Sequence, residues 1–268
     1  MRIAIDHRTH YRFSEPQARI VQMLRLTPAD TQDQTVVSWH VGVDCDARLR
    51  EAVDGFGNAV TMLYAEGPIA EIEIHVTGEV LTTETSGAIH GSAEPLPPML
   101  YLRSTPRTLP DDALVAFAQE SAAQGTPLER MHRLNAALHA RFPRAPDAPD
   151  TGISAAEAFA AGGTTSRDVA QMFVAGARSL HVPARYVSGY RSDGEAHSAP
   201  HAWAEAHVGE FGWIGFDPAT GLSPDESYVR VAVGLDALAA APIAGMRVGK
   251  GREQLDVDLH VDRLGGEE

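Results

Sequence analysis

Ser166, His201 and Asp217 are the residues of this chain whose types and order could supply a nucleophile, a base and an orienting carboxylate. A hydroxyl attacks a carbonyl only when a neighbouring base takes its proton, and an imidazole works as that base when a carboxylate fixes its tautomer. Ser166 lies in Gly163-Thr164-Thr165-Ser166-Arg167-Asp168, His201 opens His201-Ala202-Trp203, and Asp217 lies in Gly215-Phe216-Asp217-Pro218. Glycines before Ser166, and Val169, Phe173, Ala177 and Leu180 after it, predict a packed helix that starts near Ser166. The N–H groups and dipole at such a helix start favour a developing anion. The plain alternative is that Ser166 is a helix N-cap, a position where serine is preferred without any chemistry.

His201 is expected to begin a strand and Asp217 to end the next one, Gly212 to Phe216, with a turn around Gly209-Glu210-Phe211 between them. Antiparallel pairing would bring their far ends side by side, so His201 and Asp217 can meet. The remaining candidates are weaker. Cys45 sits between Asp44 and Asp46, and like-charge repulsion there opposes a reactive thiolate. His197 and His201 are four apart, but Pro200 forbids the helical turn that zinc ligands at that spacing need. Gly249-Lys250-Gly251-Arg252 lacks the flanking strand and helix of a phosphate loop. No cofactor and no metal site are expected.

The elements that must position these residues fall into three stretches. Residues 1–84 carry strand signals: Ile3 to Phe13, Thr35 to Val43 and Glu71 to Val80 alternate apolar with polar. Ser14-Glu15-Pro16 and Asp54-Gly55-Phe56-Gly57-Asn58 read as turns. Residues 85–111 hold Pro95, Pro97, Pro98, Pro106 and Pro110 and read as an extended connector. Residues 112–268 begin with helices, marked by capping boxes at Thr126-Pro127-Leu128-Glu129 and Ser154-Ala155-Ala156-Glu157 and a stop at Gly162-Gly163. Strands follow at Ala184–Tyr190, Ala202–Val208, Gly212–Asp217 and Tyr228–Val233. The alternating tail Gln254–Val261 is expected to close that second sheet. Helices followed by antiparallel strands make an α+β core behind an antiparallel β domain.

A charge of −14 from 22 basic and 36 acidic side chains argues against nucleic acid and anionic membranes as partners. The N-terminus has no apolar run of signal-peptide length, and a single cysteine precludes an internal disulfide, so a reducing, cytoplasmic setting is expected.

The three chemistry-bearing blocks, with Pro183-Ala184-Arg185-Tyr186-Val187-Ser188-Gly189-Tyr190, Gly212-Trp213 and Tyr228-Val229-Arg230-Val231-Ala232-Val233-Gly234, resemble a bacterial transglutaminase-like protein of the papain-like thiol class. The resemblance covers nearly the whole chain and implies an N-terminal β domain before a transglutaminase/papain-like core. In that family the first block reads Gly-Val-Cys-Arg-Asp-Phe-Ala-His, with cysteine as nucleophile. Here Ser166 occupies the cysteine position, Val169 the aromatic one and Gln171 that of the histidine. Two functions follow from the resemblance. One is a degenerate, weakly active or inactive homologue that binds a peptide or protein amide partner in the old cleft. The other is an amide hydrolase or acyl transferase using Ser166, His201 and Asp217.

Overall fold

The computed structural model of the chain describes residues 1–143, 152–163, 165–194 and 200–265. His197 and Thr164 lie outside the described residues. Two antiparallel sheets and a set of helices share a continuous apolar core, with the α+β arrangement expected from the element order.

The first sheet is built on two very long strands, β1 (Arg2–Leu24) and β4 (Ala59–Thr82), with β2 (Gln34–Val43) and β3 (Ala47–Val53) both paired to β4. The turn expected at Ser14-Glu15-Pro16 does not form. β1 runs straight through it with register shifts between Arg12 and Gln17 and between Gln17 and Arg19. Proline is tolerated at such a bulge because the ladder is already interrupted there. The expected turn at Asp54–Asn58 does form, and Asp54 Oδ1 accepts the N–H groups of Phe56 and Asn58.

A second correction concerns the tail. β9 (Ile243–Val248) and β10 (Glu253–Leu264) pair with β1, not with the second sheet. The unit placed at 112–268 therefore gives its last strands back to the N-terminal sheet. Alternation identifies a half-buried strand but carries no label for its neighbour. Ile3 and Ile5 of β1 and Leu259 and Val261 of β10 sit in the same buried cluster as the helices, which welds the two parts together.

The helical layer comprises α1 (Asp112–Ser121), α2 (Pro127–Arg141), α3 (Ala155–Ala161) and α4 (Ser166–Ser179). Both expected capping boxes are present, at Thr126/Glu129 and Ser154/Glu157, and Gly162 closes α3 in the left-handed region at φ 76°. α1, capped by Asp111, has no counterpart in the sequence reading. α4 is buried on nearly every side from Asp168 to Arg178, so it is a central helix rather than an amphipathic surface one.

The second sheet has the order β7-β6-β5-β8, formed by β5 (Ala184–Arg191), β6 (His201–His207), β7 (Trp213–Phe216) and β8 (Tyr228–Gly234). Its edge strand β8 is not left open. The Asn58 carboxamide donates to Val233 O and accepts from Val233 N, both at 2.8 Å. The Gln34 carboxamide treats Arg230 the same way, at 2.9 and 2.8 Å. Two side chains of the N-terminal sheet thus replace a missing strand neighbour.

The connector is tied to the second sheet by Arg185, which donates to both Glu94 carboxylate oxygens at 2.7 and 2.9 Å and to Glu205 at 2.6 Å. Arg230 donates to Glu205 from the other side, so a fully buried carboxylate is compensated by two guanidinium groups.

Candidate active site

Ser166 opens α4, but it is not the cap. Thr165 holds that position in extended backbone: its hydroxyl accepts from Asp168 N at 3.1 Å, and the Asp168 carboxylate accepts from Thr165 N at 3.3 Å. The expectation that Ser166 caps its own helix is therefore corrected, because the reciprocal Thr165/Asp168 pair already satisfies those groups. Ser166 is the first helical residue, where the backbone N–H has no partner inside the helix. A Cβ on Gly163 would lie 3.0 Å from Asp168 Oδ2 and from Ala158 Cβ, a tight contact that would press on the cap.

The course of the chain sets His201 at this end of α4. β5 starts beside the C-terminal end of α4, where Arg178 Nη2 donates to Ala184 O at 2.8 Å. β5 then runs back along the helix, and β6 pairs with it antiparallel, Ala184 opposite Ala206 and Gly189 opposite His201. Ala204 pairs with Phe216, whose ring stacks on Phe173 of α4 at 5.1 Å.

His201 and Asp217 meet as the strand pairing implies. His201 Nε2 lies 2.7 Å from Asp217 Oδ2, and both side chains are buried. Asp217 also accepts from Tyr228 Oη at 2.7 Å and from Ala219 N at 2.9 Å. Burial alone would raise the Asp217 pKa. The His201 charge and hydrogen bond, then the Tyr228 and Ala219 hydrogen bonds, outweigh burial and hold it below the ordinary carboxylate value. Assigning the Nε2 proton from this network leaves the Nδ1 lone pair as the basic one. Ser166 makes no hydrogen bond to His201 or Asp217 among the described residues. The structure thus brings two of the three residues into contact and sets the third at the same end of the fold.

Two further residues belong to this site. Tyr228 shares the carboxylate, and Trp203 stacks beside His201 with centroids 6.2 Å apart and planes 26° apart. Trp203 had a signal in the sequence, since residues two apart on a strand share a face. Tyr228 had none, because its contact to Asp217 is made across the sheet. Gln171, at the position of the family's histidine, is fully buried: it donates to Ile153 O at 3.3 Å and accepts from Ala237 N at 3.4 Å.

Comparisons with known proteins agree with this architecture. Residues 3–81 match the bacterial transglutaminase-like N-terminal region, and residues 115–218 match the transglutaminase-like superfamily. An uncharacterised protein of Mycobacterium leprae is 27% identical over 98% of this chain and 99% of its own length. One of Mycobacterium tuberculosis is 24% identical over 97% and 92%. A solved structure from Cytophaga hutchinsonii, assigned as a candidate cysteine protease, superposes with a TM-score of 0.78 over 100% of this chain and 92% of its own, at 18% identity. That likeness is one of fold. With α4, the strand of His201 and Asp217 all inside the second match, the chain carries a bacterial transglutaminase-like N-terminal region joined to a transglutaminase-like core.

Proposed function

We propose that this protein is a weakly active or inactive transglutaminase-like homologue that binds a peptide or amide-bearing partner in the cleft at the start of α4. The observation that carries this reading is an intact His201–Asp217 pair to which Ser166, at the start of α4, makes no hydrogen bond among the described residues. A thiol at a helix N-terminus ionises near neutral pH and then needs little from its base. A serine hydroxyl has a far higher pKa and reacts only while a base removes its proton. A cleft shaped for sulfur therefore loses several orders of magnitude with oxygen in its place. The exchange of the neighbouring histidine position for the buried Gln171 supports the same reading. The net charge of −14 supports a partner that is neither nucleic acid nor an anionic membrane. The single cysteine supports a reducing, cytoplasmic setting.

A second reading, an amide hydrolase or transamidase using Ser166, His201 and Asp217, is favoured by the Thr165 cap. Because Thr165 satisfies the helix end, neither the hydroxyl nor the N–H of Ser166 is engaged in capping.

The test is release of amine or ammonia from peptide amides by the natural protein, Ser166→Cys and Ser166→Ala. The first reading expects at most weak turnover by the natural protein, a gain of several orders of magnitude with Cys, and unchanged peptide retention with Ala. Turnover by the natural protein that matches or exceeds that of Ser166→Cys and disappears in Ser166→Ala establishes the second reading instead.

A further inference from the structure

The Asp217 carboxylate is fully buried, and three donors converge on it. Ala219 N–H meets Oδ1 at 2.9 Å, while His201 Nε2 and Tyr228 Oη both meet Oδ2 at 2.7 Å. One donor on each oxygen would already hold the group in place. The third comes from the far side of the sheet. Tyr228 opens β8, on the edge opposite β7, yet its hydroxyl reaches the residue that follows β7.

The strand between them leaves room for this. Gly189 of β5 pairs with His201 of β6 on one side and with Arg230 of β8 on the other. A Cβ there would lie 2.6 Å from the Trp203 ring and 2.2 Å from Val229 O, so no side chain fits. The Trp203 indole occupies that space and meets the Tyr228 ring edge-on, with centroids 5.4 Å apart.

The charges on the surrounding elements are committed elsewhere among the described residues. On β5, Arg191 pairs with Asp193 at 3.1 Å and lies 5.8 Å from the centre of the Tyr228 ring. At β8, Asp225 accepts from Ser227 N, and Arg230 is paired with Glu205. In the first turn of α4, Asp168 holds the Thr165 cap and Arg167 donates to the Tyr186 hydroxyl. On α2, His139 is bonded to Pro218 O. What distinguishes His201 is the oxygen it shares with Tyr228.

When an imidazole takes a proton, the carboxylate on its other nitrogen stabilises the new charge. Two donors at one oxygen draw on the same negative charge. A carboxylate already bonded by a phenol has a lower proton affinity, and less is left for the imidazolium. We propose that Tyr228 is a positioning residue of the His201–Asp217 pair: its hydroxyl fixes the shared Oδ2 and limits how strongly Asp217 stabilises a proton on His201. This rests on His201 acting as the base of the cleft.

The test follows the imidazole groups of the full chain by ¹⁵N NMR across a pH titration, the His201 signals being identified by their loss in His201→Gln. Tyr228→Phe keeps the ring against Trp203 and Arg191 and removes only the hydroxyl. It is expected to raise the pH midpoint of His201 by about one unit, the scale of one hydrogen bond to a charged group. Ortho-fluorotyrosine in place of Tyr228 keeps the hydroxyl and makes it a stronger donor, so the midpoint is expected to fall. An unchanged midpoint in Tyr228→Phe, or shifts of the same sign in both variants, overturns the proposal. If Tyr228→Phe fails to fold, the fluorinated side chain decides alone, an unchanged or raised midpoint overturning the proposal. No substrate enters the measurement, so it fails independently of the turnover assay that decides between the two readings of the cleft.

Discussion

His201 Nε2 and Tyr228 Oη each lie 2.7 Å from the same atom, Oδ2 of Asp217, and their rings meet edge-on with centroids 5.7 Å apart. The carboxylate oxygen is therefore shared by an imidazole and a phenol. Burial first, then the Asp217 charge and hydrogen bond, push the Tyr228 phenol upward, so it stays protonated. Tyr228 therefore remains a donor to the carboxylate.

Tyr228→Phe removes that donor while keeping the ring. Stability at pH 7 is expected to fall by about 1.5–3 kcal/mol, the usual value of a hydrogen bond to a charged group. Asp217 is held below its unfolded value, so its contribution is present above about pH 4 and lost as pH falls. Losing one of the groups that lower it raises its folded pKa, so less stability remains to be lost below about pH 4. Urea unfolding at pH 7, 4 and 3 checks both points. An unchanged midpoint at pH 7 would show that the Tyr228 contact contributes nothing.

The Thr165 cap separates stability from chemistry at the start of α4. Thr165→Ala is expected to cost about 1 kcal/mol. Ser166→Ala, one residue on and inside the helix, is expected to stay within about 0.5 kcal/mol. Thermal melts of the two variants decide it. A larger loss at Ser166 than at Thr165 would contradict the capping seen here.

Ser166→Cys places a thiol at a helix N-terminus, an environment that lowers thiol pKa values. Cys45 provides the internal reference, since burial and then Asp44 and Asp46 push its thiol upward. Iodoacetamide is expected to label position 166 faster than Cys45 at pH 7, as read by peptide mass spectrometry. Slower labelling at 166 would mean that the cleft no longer supports a thiolate.

Glu205 gives the fold a definite acid limit. Burial would raise its pKa, but Arg230 and Arg185 bring it down to about 2. Its contribution, about 3 kcal/mol, is complete above its unfolded value near 4.3 and disappears as pH falls from there toward 2. Glu205→Gln is expected to lower stability at pH 7 by about 3 kcal/mol, since the partly buried Arg230 loses its counter-charge and the buried Arg185 keeps only Glu94. It should also flatten the pH dependence below 4.5. Denaturant midpoints for both proteins across pH 3–7 test this, and equal slopes would place the acid limit elsewhere.

Local physics was legible in the sequence. Two reciprocal caps, Thr126/Glu129 and Ser154/Glu157, the stop at Gly162 and the strand beginning at His201 all depend on residues a few positions apart, and all appear where the residue types call for them. The meeting of His201 with Asp217 was also legible, because a short turn between two strands leaves a single way to pair them. What lay beyond the sequence depends on distant partners. Ser166 and Thr165 are both good caps, and only the placed backbone selects Thr165. The strand at 253–264 is plain from its alternation, yet its pairing with β1, about 250 positions away, follows from burying its apolar face on Ile3 and Ile5. Tyr228 joins Asp217 for the same reason: a contact across a sheet leaves no spacing to read along the chain.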